Sequence, residues 1–307
     1  DMLRRMIYDY IIAGGGIAGS ICAYGLSKKG VNCLILGKNK TVKEKVCGGG
    51  VPRKAIDLLG HIGIDTGDLL CQDVSVIKGH TIIREGCWDE HIYEEGAFSL
   101  GMRRRLLDGY LLEQAVNQGT HVRFGEKVSA VAYRDGLYTI NGYQGGKFVC
   151  AVGARGLWNG VPKGQSVGIS AQISGECSLP DDRFYYMYHT SGDDRYLWMF
   201  PIGDSLWNIG VWFRVQNSMI VRDYRESLRR WIKPCFPQGY RLVTKPRGEF
   251  LGNVDQRNLY GNRFSGIGDF AGTNNIKNGG GILPAIRSAI ALADSVEGRC
   301  VSEILLP

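Results

Sequence analysis

The chain has 307 residues, 44% hydrophobic and 22% charged, with a formal net charge of +7. That length and balance suit a soluble globular protein of one large domain or two interleaved ones. They exclude a helical membrane span, because no apolar stretch approaches about 20 residues, and a basic nucleic-acid-binding tract, because no like-charge block exceeds Arg103-Arg104-Arg105.

In chain order, the apolar run Tyr8 to Ala13 reads as a buried parallel strand. It stops at Gly14-Gly15-Gly16-Ile17-Ala18-Gly19, which has the spacing G-x-G-x-x-G. The spacing predicts a helix from Ile17 to Lys29 and a second strand from Val31 to Leu36. In this βαβ context Gly14 allows the tight turn, Gly16 the approach of a pyrophosphate, and Gly19 close helix–strand packing. The N–H groups and dipole at the helix start favour a phosphate there. The acid that usually ends the second strand and binds a ribose is missing, for Gly37 and Lys38 follow Leu36.

Further on, Cys47-Gly48-Gly49-Gly50 marks a loop whose backbone lies close to something flat or bulky. Pro52 starts a short helix, Arg53 to Leu59. Residues 71–95 read as β-rich and lie outside the nucleotide-binding sheet. Periodicity predicts a long helix over Leu100 to Gly119. Strands follow at His121 to Tyr133 and Leu137 to Asn141, joined by an Asp135-Gly136 hairpin turn, and at Lys147 to Val152, before Gly153-Ala154-Arg155-Gly156. Ser166 to Arg214 reads as antiparallel sheet, residues 218–232 as an amphipathic helix, and 241–251 as the last long strand. Gly261 to Gly272 returns to a strand and a glycine turn. Asn278-Gly279-Gly280-Gly281 precedes a final helix, Ile282 to Glu297.

The nine cysteines are odd in number, irregularly spaced and free of C-x-x-C. Reduced thiols in a cytosolic protein are expected, with no disulfide framework and no zinc site. Asp1 to Met6 lacks the apolar centre of a signal peptide. The histidines His61, His80, His91, His121 and His189 form no pattern with a carboxylate, and none is assigned as a catalyst.

Four segments together, the glycine motif, Arg104 to Asp108, Gly153 to Gly156, and Gly268-Asp269-Phe270-Ala271-Gly272, resemble flavoproteins of the p-hydroxybenzoate hydroxylase class. Lys45-Val46-Cys47-Gly48-Gly49-Gly50 and Tyr196-Leu197-Trp198-Met199-Phe200-Pro201, with Gly210 beyond, narrow the resemblance to the geranylgeranyl reductase family. It covers nearly the whole chain. It implies an α/β fold: a Rossmann-like FAD-binding domain with an interleaved antiparallel β-sheet substrate domain. Residues 1–75, 97–160 and 255–307 would form the first, and 76–96 and 161–254 the second.

The resemblance also implies the cofactor, FAD, and a set of site residues. Gly14, Gly16, Ile17, Ala18, Gly19 and Arg104 would serve the pyrophosphate, with Lys38 and Val128 on the adenosine side. Gly268 and Asp269 would meet the ribityl hydroxyls. Gly280, Gly281 and Ile282 would meet the flavin's pyrimidine edge. Cys47, Gly48 and Gly49 would border the flavin, with Cys47 also the catalytic candidate. Tyr196, Trp198, Phe200 and Gly210 would line an apolar substrate wall.

The residues alone leave plainer roles open. Arg103 to Arg105 reads equally as a solvated patch, Asp269 as a turn cap, Cys47 as a small buried residue, and the aromatic strand as core. The triple arginine at a helix start runs against the dipole, and an anionic ligand would explain it. The chain also departs from the class: Arg155 replaces an Asp, Trp212 replaces the second glycine of G-x-G, and little follows the last helix.

The reaction implied is reduction of C=C bonds in an isoprenoid-type substrate by hydride from reduced flavin. The alternatives are a flavin monooxygenase or halogenase on the same fold, and a cofactor-poor binding protein. Expected partners are an apolar small-molecule or lipid substrate and an electron donor, NAD(P)H or ferredoxin. A cytoplasmic location with peripheral membrane contact is expected, and no nucleic acid.

Overall fold

The structure is a computed structural model and describes residues 2–154, 163–188, 195–214, 221–253, 264–275 and 279–297. The chain opens with β1 (Ile7–Ala13), α1 (Ile17–Lys28) and β2 (Cys33–Gly37). Then come β3 (Gly50–Val51), α2 (Arg53–His61), α3 (Gly67–Leu70), β4 (Val74–Ile77), β5 (Gly79–Arg84), β6 (Cys87–Ile92) and β7 (Ser99–Met102). The helix α4 (Arg104–Asn117) leads to β8 (His121–Phe124), β9 (Val131–Arg134), β10 (Leu137–Ile140) and β11 (Tyr143–Cys150). Next are β12 (Lys163–Ser174), β13 (Arg183–Tyr188), β14 (Tyr196–Pro201), β15 (Leu206–Arg214) and α5 (Val221–Cys235). The described chain closes with β16 (Arg241–Leu242), β17 (Arg247–Asn253), β18 (Phe264–Gly266), a 3₁₀ turn at Gly268–Ala271 and α6 (Ile282–Asp294).

The first sheet has the order β8-β2-β1-β11-β10-β9, with β18 also paired to β11. Its centre is parallel, because β1 is fully apolar from Tyr10 to Ala13 and is buried on both faces. Ile12, Cys33 and Ile35 face a core shared with α1, α4 and α6. Tyr8, Ile11, Leu34 and Phe148 fill a smaller core on the other face. The first βαβ unit and the β9–β10 hairpin follow the sequence reading, and Asp135 and Gly136 both carry positive φ, the primed-turn geometry expected of Asp-Gly.

The second sheet runs β16-β12-β15-β14-β13-β5-β6, with β17 on β12. Almost every residue of β14 and β15 is buried, because each strand serves two layers. Leu197, Met199, Ile209 and Val211 pack towards Leu228, Trp231 and Ile232 of α5. Phe184, Trp198, Phe200 and Trp212 form a separate aromatic cluster on the opposite face. A small sheet, β3-β7-β4, carries the Gly50 end of the cysteine loop.

Several boundaries differ from the sequence reading. The predicted helix over Leu100 to Gly119 begins only at Arg104, because Leu100 and Met102 are fully buried and pair with Val76 and Val74 as strand. Tertiary pairing overrides helical periodicity there. The predicted strand His121 to Tyr133 breaks after Phe124, where Gly125 takes φ +79° and its N–H bonds Asn39. The strand over 241–251 divides into β16 and β17, which meet β12 at different points. Arg155, Gly156, His189 and Asn278 lie outside the described residues.

Gly210 is required by its neighbour. A Cβ there would overlap both the Trp198 ring and the Ile169 carbonyl. Gly210→Ala is expected to lose about 2 kcal/mol of stability, the typical cost of overpacking, and to shift tryptophan emission as Trp198 moves. Urea unfolding followed by fluorescence checks both, and an unchanged midpoint and spectrum would contradict this packing.

Candidate functional site

The site begins where β1 hands over to α1. Gly14 has φ +104°, and a Cβ on it would meet the Ala151 carbonyl. A Cβ on Gly19 would overlap the Gly14 carbonyl, so helix and turn touch through bare backbone. A Cβ on Gly16 would fall on the Lys45 ammonium. The turn is therefore a backbone cradle with a cation directly over it, the chemistry a pyrophosphate requires.

That cation, half exposed, joins a buried ion pair. Lys45 Nζ lies 2.9 Å from Asp108 Oδ2. Arg104 Nε donates to Asp108 Oδ1 at 2.9 Å, and its NH2 group to Oδ2 at 3.2 Å. Asp108 is only 1% exposed, and the Arg104 side chain only 13%. Burial works against ionisation of Asp108, but Arg104 and then Lys45 outweigh it and hold its carboxyl below the usual range. Burial also works against the Arg104 charge, and Asp108 more than restores it.

The side chains of Arg103 and Arg104, and the N–H groups at the helix start, are answered by acids of the chain itself. Glu44 accepts hydrogen bonds from the Arg104 N–H at 2.9 Å and the Arg105 N–H at 3.5 Å, so it caps α4 from a distant loop. Arg103 pairs with Asp73 at 2.8 Å. The helix start thus needs no external anion to be stable, and the cation facing the glycine turn is Lys45.

The cysteine loop joins this cluster to the second sheet. Cys47 Sγ accepts the Gly49 N–H at 3.4 Å, and the thiol adjoins the Arg104 guanidinium. The Cys47 carbonyl accepts Asn208 Nδ2 at 2.8 Å, and Asn208 Oδ1 accepts Trp198 Nε1 at 2.8 Å. A Cβ on Gly48 would press on the Phe200 ring, and one on Gly50 would lie 3.1 Å from Phe184. Tyr196 stacks on Trp212 with centroids 5.6 Å apart. Burial among rings raises the Tyr196 hydroxyl well above its usual range, keeping it neutral.

Asp269 closes the other side. Its backbone carbonyl accepts the Gly272 N–H at 3.2 Å, while its carboxylate has no hydrogen-bond donor among the described residues, and a Cβ on Gly281 would lie 3.3 Å from its Oδ1. Burial raises its carboxyl pKa, only partly offset by Arg104 and Lys45. An open acceptor beside two cations suits sugar-like hydroxyl donors. Gly268 brings this turn against Ala18, and its N–H bonds Ser288 of α6. Gly281 is the N-cap of α6, followed by buried Ile282, and the Gly280 carbonyl accepts the Asn275 N–H.

Thus Gly14, Gly16, Ile17, Ala18, Gly19, Cys47, Gly48, Gly49, Arg104, Gly268, Asp269, Gly280, Gly281 and Ile282 lie along one continuous chain of contacts, with Trp198, Phe200 and Gly210 adjoining it. Lys38 is exposed just past β2. The side chain of Val128 is buried in the small core, and its segment runs beside Gly37 through the Glu126 N–H bond to the Gly37 carbonyl. Sequence reasoning missed Lys45, Asp108 and Asn208 as members of the site. The i,i+4 spacing of Arg104 and Asp108 was the one local signal available.

An FAD binding domain family matches residues 8–138. Digeranylgeranylglycerophospholipid reductase 1 of Methanococcoides burtonii is 25% identical over 97% of this chain and 78% of its own. The digeranylgeranylglycerophospholipid reductase of Methanosarcina acetivorans is 25% identical over 91% of this chain and 72% of its own. In fold, the chain resembles a geranylgeranyl bacteriochlorophyll reductase-like protein of Thermoplasma acidophilum, with TM-score 0.76 and 19% identity over 94% of this chain and 77% of that one. It also resembles a flavin-dependent brominase, with TM-score 0.74 and 19% identity over 96% and 80%.

Asp108→Asn leaves Arg104 buried without its counter-charge and is expected to cost about 3 kcal/mol. The wild-type carboxylate contributes stability that is present above about pH 4, the unfolded range, and lost as pH falls through its lower folded pKa. The variant's stability should therefore vary less with pH in that acid window. Urea unfolding from pH 7 to pH 3 measures both effects, and a loss at neutral pH below about 1 kcal/mol would contradict a compensating role.

Gly37 stands where a ribose-binding acid is usual. A Cβ there would lie 3.3 Å from Phe124 Cδ1, and Phe124 is 44% exposed and free to yield. Gly37→Glu is expected to tighten FAD about tenfold through a charge-assisted hydrogen bond while leaving FMN unchanged. Equal changes for both flavins would show that adenosine lies elsewhere.

Proposed function

We propose that this chain, an FAD-dependent oxidoreductase similar to the geranylgeranyl reductase family over nearly its whole length, reduces C=C bonds of an apolar isoprenoid-type lipid. The observation that carries the reading is the contact of the aromatic sheet face with the cysteine loop: Phe200 against Gly48 and Phe184 against Gly50, next to the Lys45-covered glycine turn. Phosphate-binding backbone and a largely apolar wall share one short loop.

FAD, when bound, supplies a hydride for one carbon of the double bond. The rest falls to the chain. Gly14, Gly16 and Gly19 offer backbone to the pyrophosphate, and Lys45 and Arg104 offset its charge. Val128 and Lys38 border the adenosine end. Asp269 accepts from ribityl hydroxyls, while Gly280, Gly281 and Ile282, at the start of α6, face the pyrimidine edge. Tyr196, Trp198 and Phe200 hold the apolar substrate and exclude water, with Gly210 seating the Trp198 ring. Cys47 Sγ holds a proton at the junction of loop and wall, where the second carbon needs one. An NAD(P)H or ferredoxin donor and a peripheral membrane contact complete the proposal. None of the described helices is long and apolar enough to cross a membrane.

A monooxygenase or halogenase is the second reading, favoured by the fold shared with the brominase. The FAD binding domain match sets the cofactor-poor reading aside. Product analysis separates the two that remain. Protein supplied with reduced FAD and a geranylgeranyl lipid should yield product with two added hydrogen atoms per reduced bond. No oxygen should enter the product, and substrate should not stimulate oxygen consumption. Incorporated oxygen would contradict the reductase reading. Cys47→Ser is expected to slow reduction about tenfold or more, within the range for lost general-acid catalysis, with FAD affinity unchanged.

A further inference from the structure

The strand register of the second sheet places one row of side chains from its middle to its edge. Trp212 of β15 pairs with Tyr196 of β14, Tyr196 with Tyr188 of β13, and Tyr188 with Arg84 of β5. Directly paired residues share a face, so all four lie on the aromatic side that meets the cysteine loop. The rings follow one another: Trp212 to Tyr196 at 5.6 Å and Tyr196 to Tyr188 at 5.7 Å, with the Arg84 guanidinium 5.0 Å over Tyr188. Tyr186 adds a second ring 5.7 Å from Tyr196.

The inner end of this row meets the cofactor side, because a Cβ on Gly279, just before α6, would overlap the Trp212 indole. The outer end is a cation. Arg84 is exposed and carries no ion pair among the described residues. Three strand spacings of about 4.8 Å separate the ends, a path of about 14 Å. An all-aromatic path closed by an arginine fits a ligand with a long apolar body and a terminal anion. Asp89 pairs with Ile82 on the neighbouring row of this face. Its carboxylate repels an anion there and confines it to the Arg84 end.

We propose that Arg84 binds the phosphate group at the end of the isoprenoid chain, while Tyr188, Tyr196 and Trp212 carry the chain inward to the reaction site. Arg84 is thus a specificity-determining residue, set apart from the chemistry. This rests on the reductase reading. The phosphate could belong to a free prenyl diphosphate or to a glycerophospholipid headgroup, and the shared chemistry is the terminal phosphate on an isoprenoid.

The test is equilibrium binding to the FAD-loaded protein of three probes: geranylgeranyl diphosphate, a geranylgeranyl glycerophospholipid and geranylgeraniol. At least one phosphate-bearing probe should bind about tenfold or more tightly than the alcohol, as a charge-assisted contact implies. Whichever does so identifies the source of the phosphate. Arg84→Gln should abolish that preference and leave the alcohol unchanged, and Arg84→Lys should restore part of it. A preference that survives Arg84→Gln overturns the proposal, as does an equal loss for all three probes, which would mean that Arg84 only packs on Tyr188. Failure of wild-type protein to bind any of the three probes would overturn the reductase reading, and this proposal with it, whereas equal binding of all three would overturn this proposal alone.

Discussion

A single buried carboxylate holds the site together. Asp108 sits on α4, out of water, and is stable as an anion only because Arg104 and Lys45 both reach it at 2.9 Å. Arg104 comes from the same helix, one turn away. Lys45 comes from the loop after β2, which this pair fastens across the glycine turn. Glu44 tightens the same junction by capping α4. The loop's other end is fixed from the second sheet, where Trp198 orients Asn208 and Asn208 bonds the Cys47 carbonyl. Cys47 is thus held between an ion cluster and an aromatic wall.

The second sheet can provide that wall because its central strands are buried on both faces. Leu197, Met199, Ile209 and Val211 secure the sheet beneath α5. The alternate residues, Tyr196, Trp198, Phe200 and Trp212, build a second aromatic core on the opposite face, against the cysteine loop. Gly210 lets the Trp198 ring lie flat across β15, and the bare backbone of Gly48 lets Phe200 approach the loop. The small residues are as necessary to the wall as the rings.

Much of this was legible in the sequence where the signal is local. The glycine turn, α1, the Asp135-Gly136 hairpin and the alternating aromatic strand depend on residues a few positions apart. What escaped depends on partners far along the chain. Nothing near Lys45 announces Asp108, 63 positions on, and nothing near Asn208 announces the Cys47 carbonyl, 161 positions away. The arginine-rich helix start pointed to an anionic ligand because Glu44, which caps its N–H groups, and Asp73, which pairs with Arg103, lie far off in the sequence. Leu100 and Met102 carried helical spacing, yet β4 drew them into a sheet. The absence of an acid at Gly37 was plain in the sequence, while the Phe124 ring beside it emerged only with the pairing of β2 and β8.

In the proposed reaction electrons pass from flavin to an apolar double bond at the Cys47 loop. The most direct measurement mixes the reduced, FAD-loaded protein with a geranylgeranyl substrate in the strict absence of oxygen and follows flavin absorbance. The oxidised flavin bands should return at a rate that rises with substrate concentration. Flavin that stays reduced with substrate present, and is reoxidised only when oxygen is admitted, would contradict that reaction.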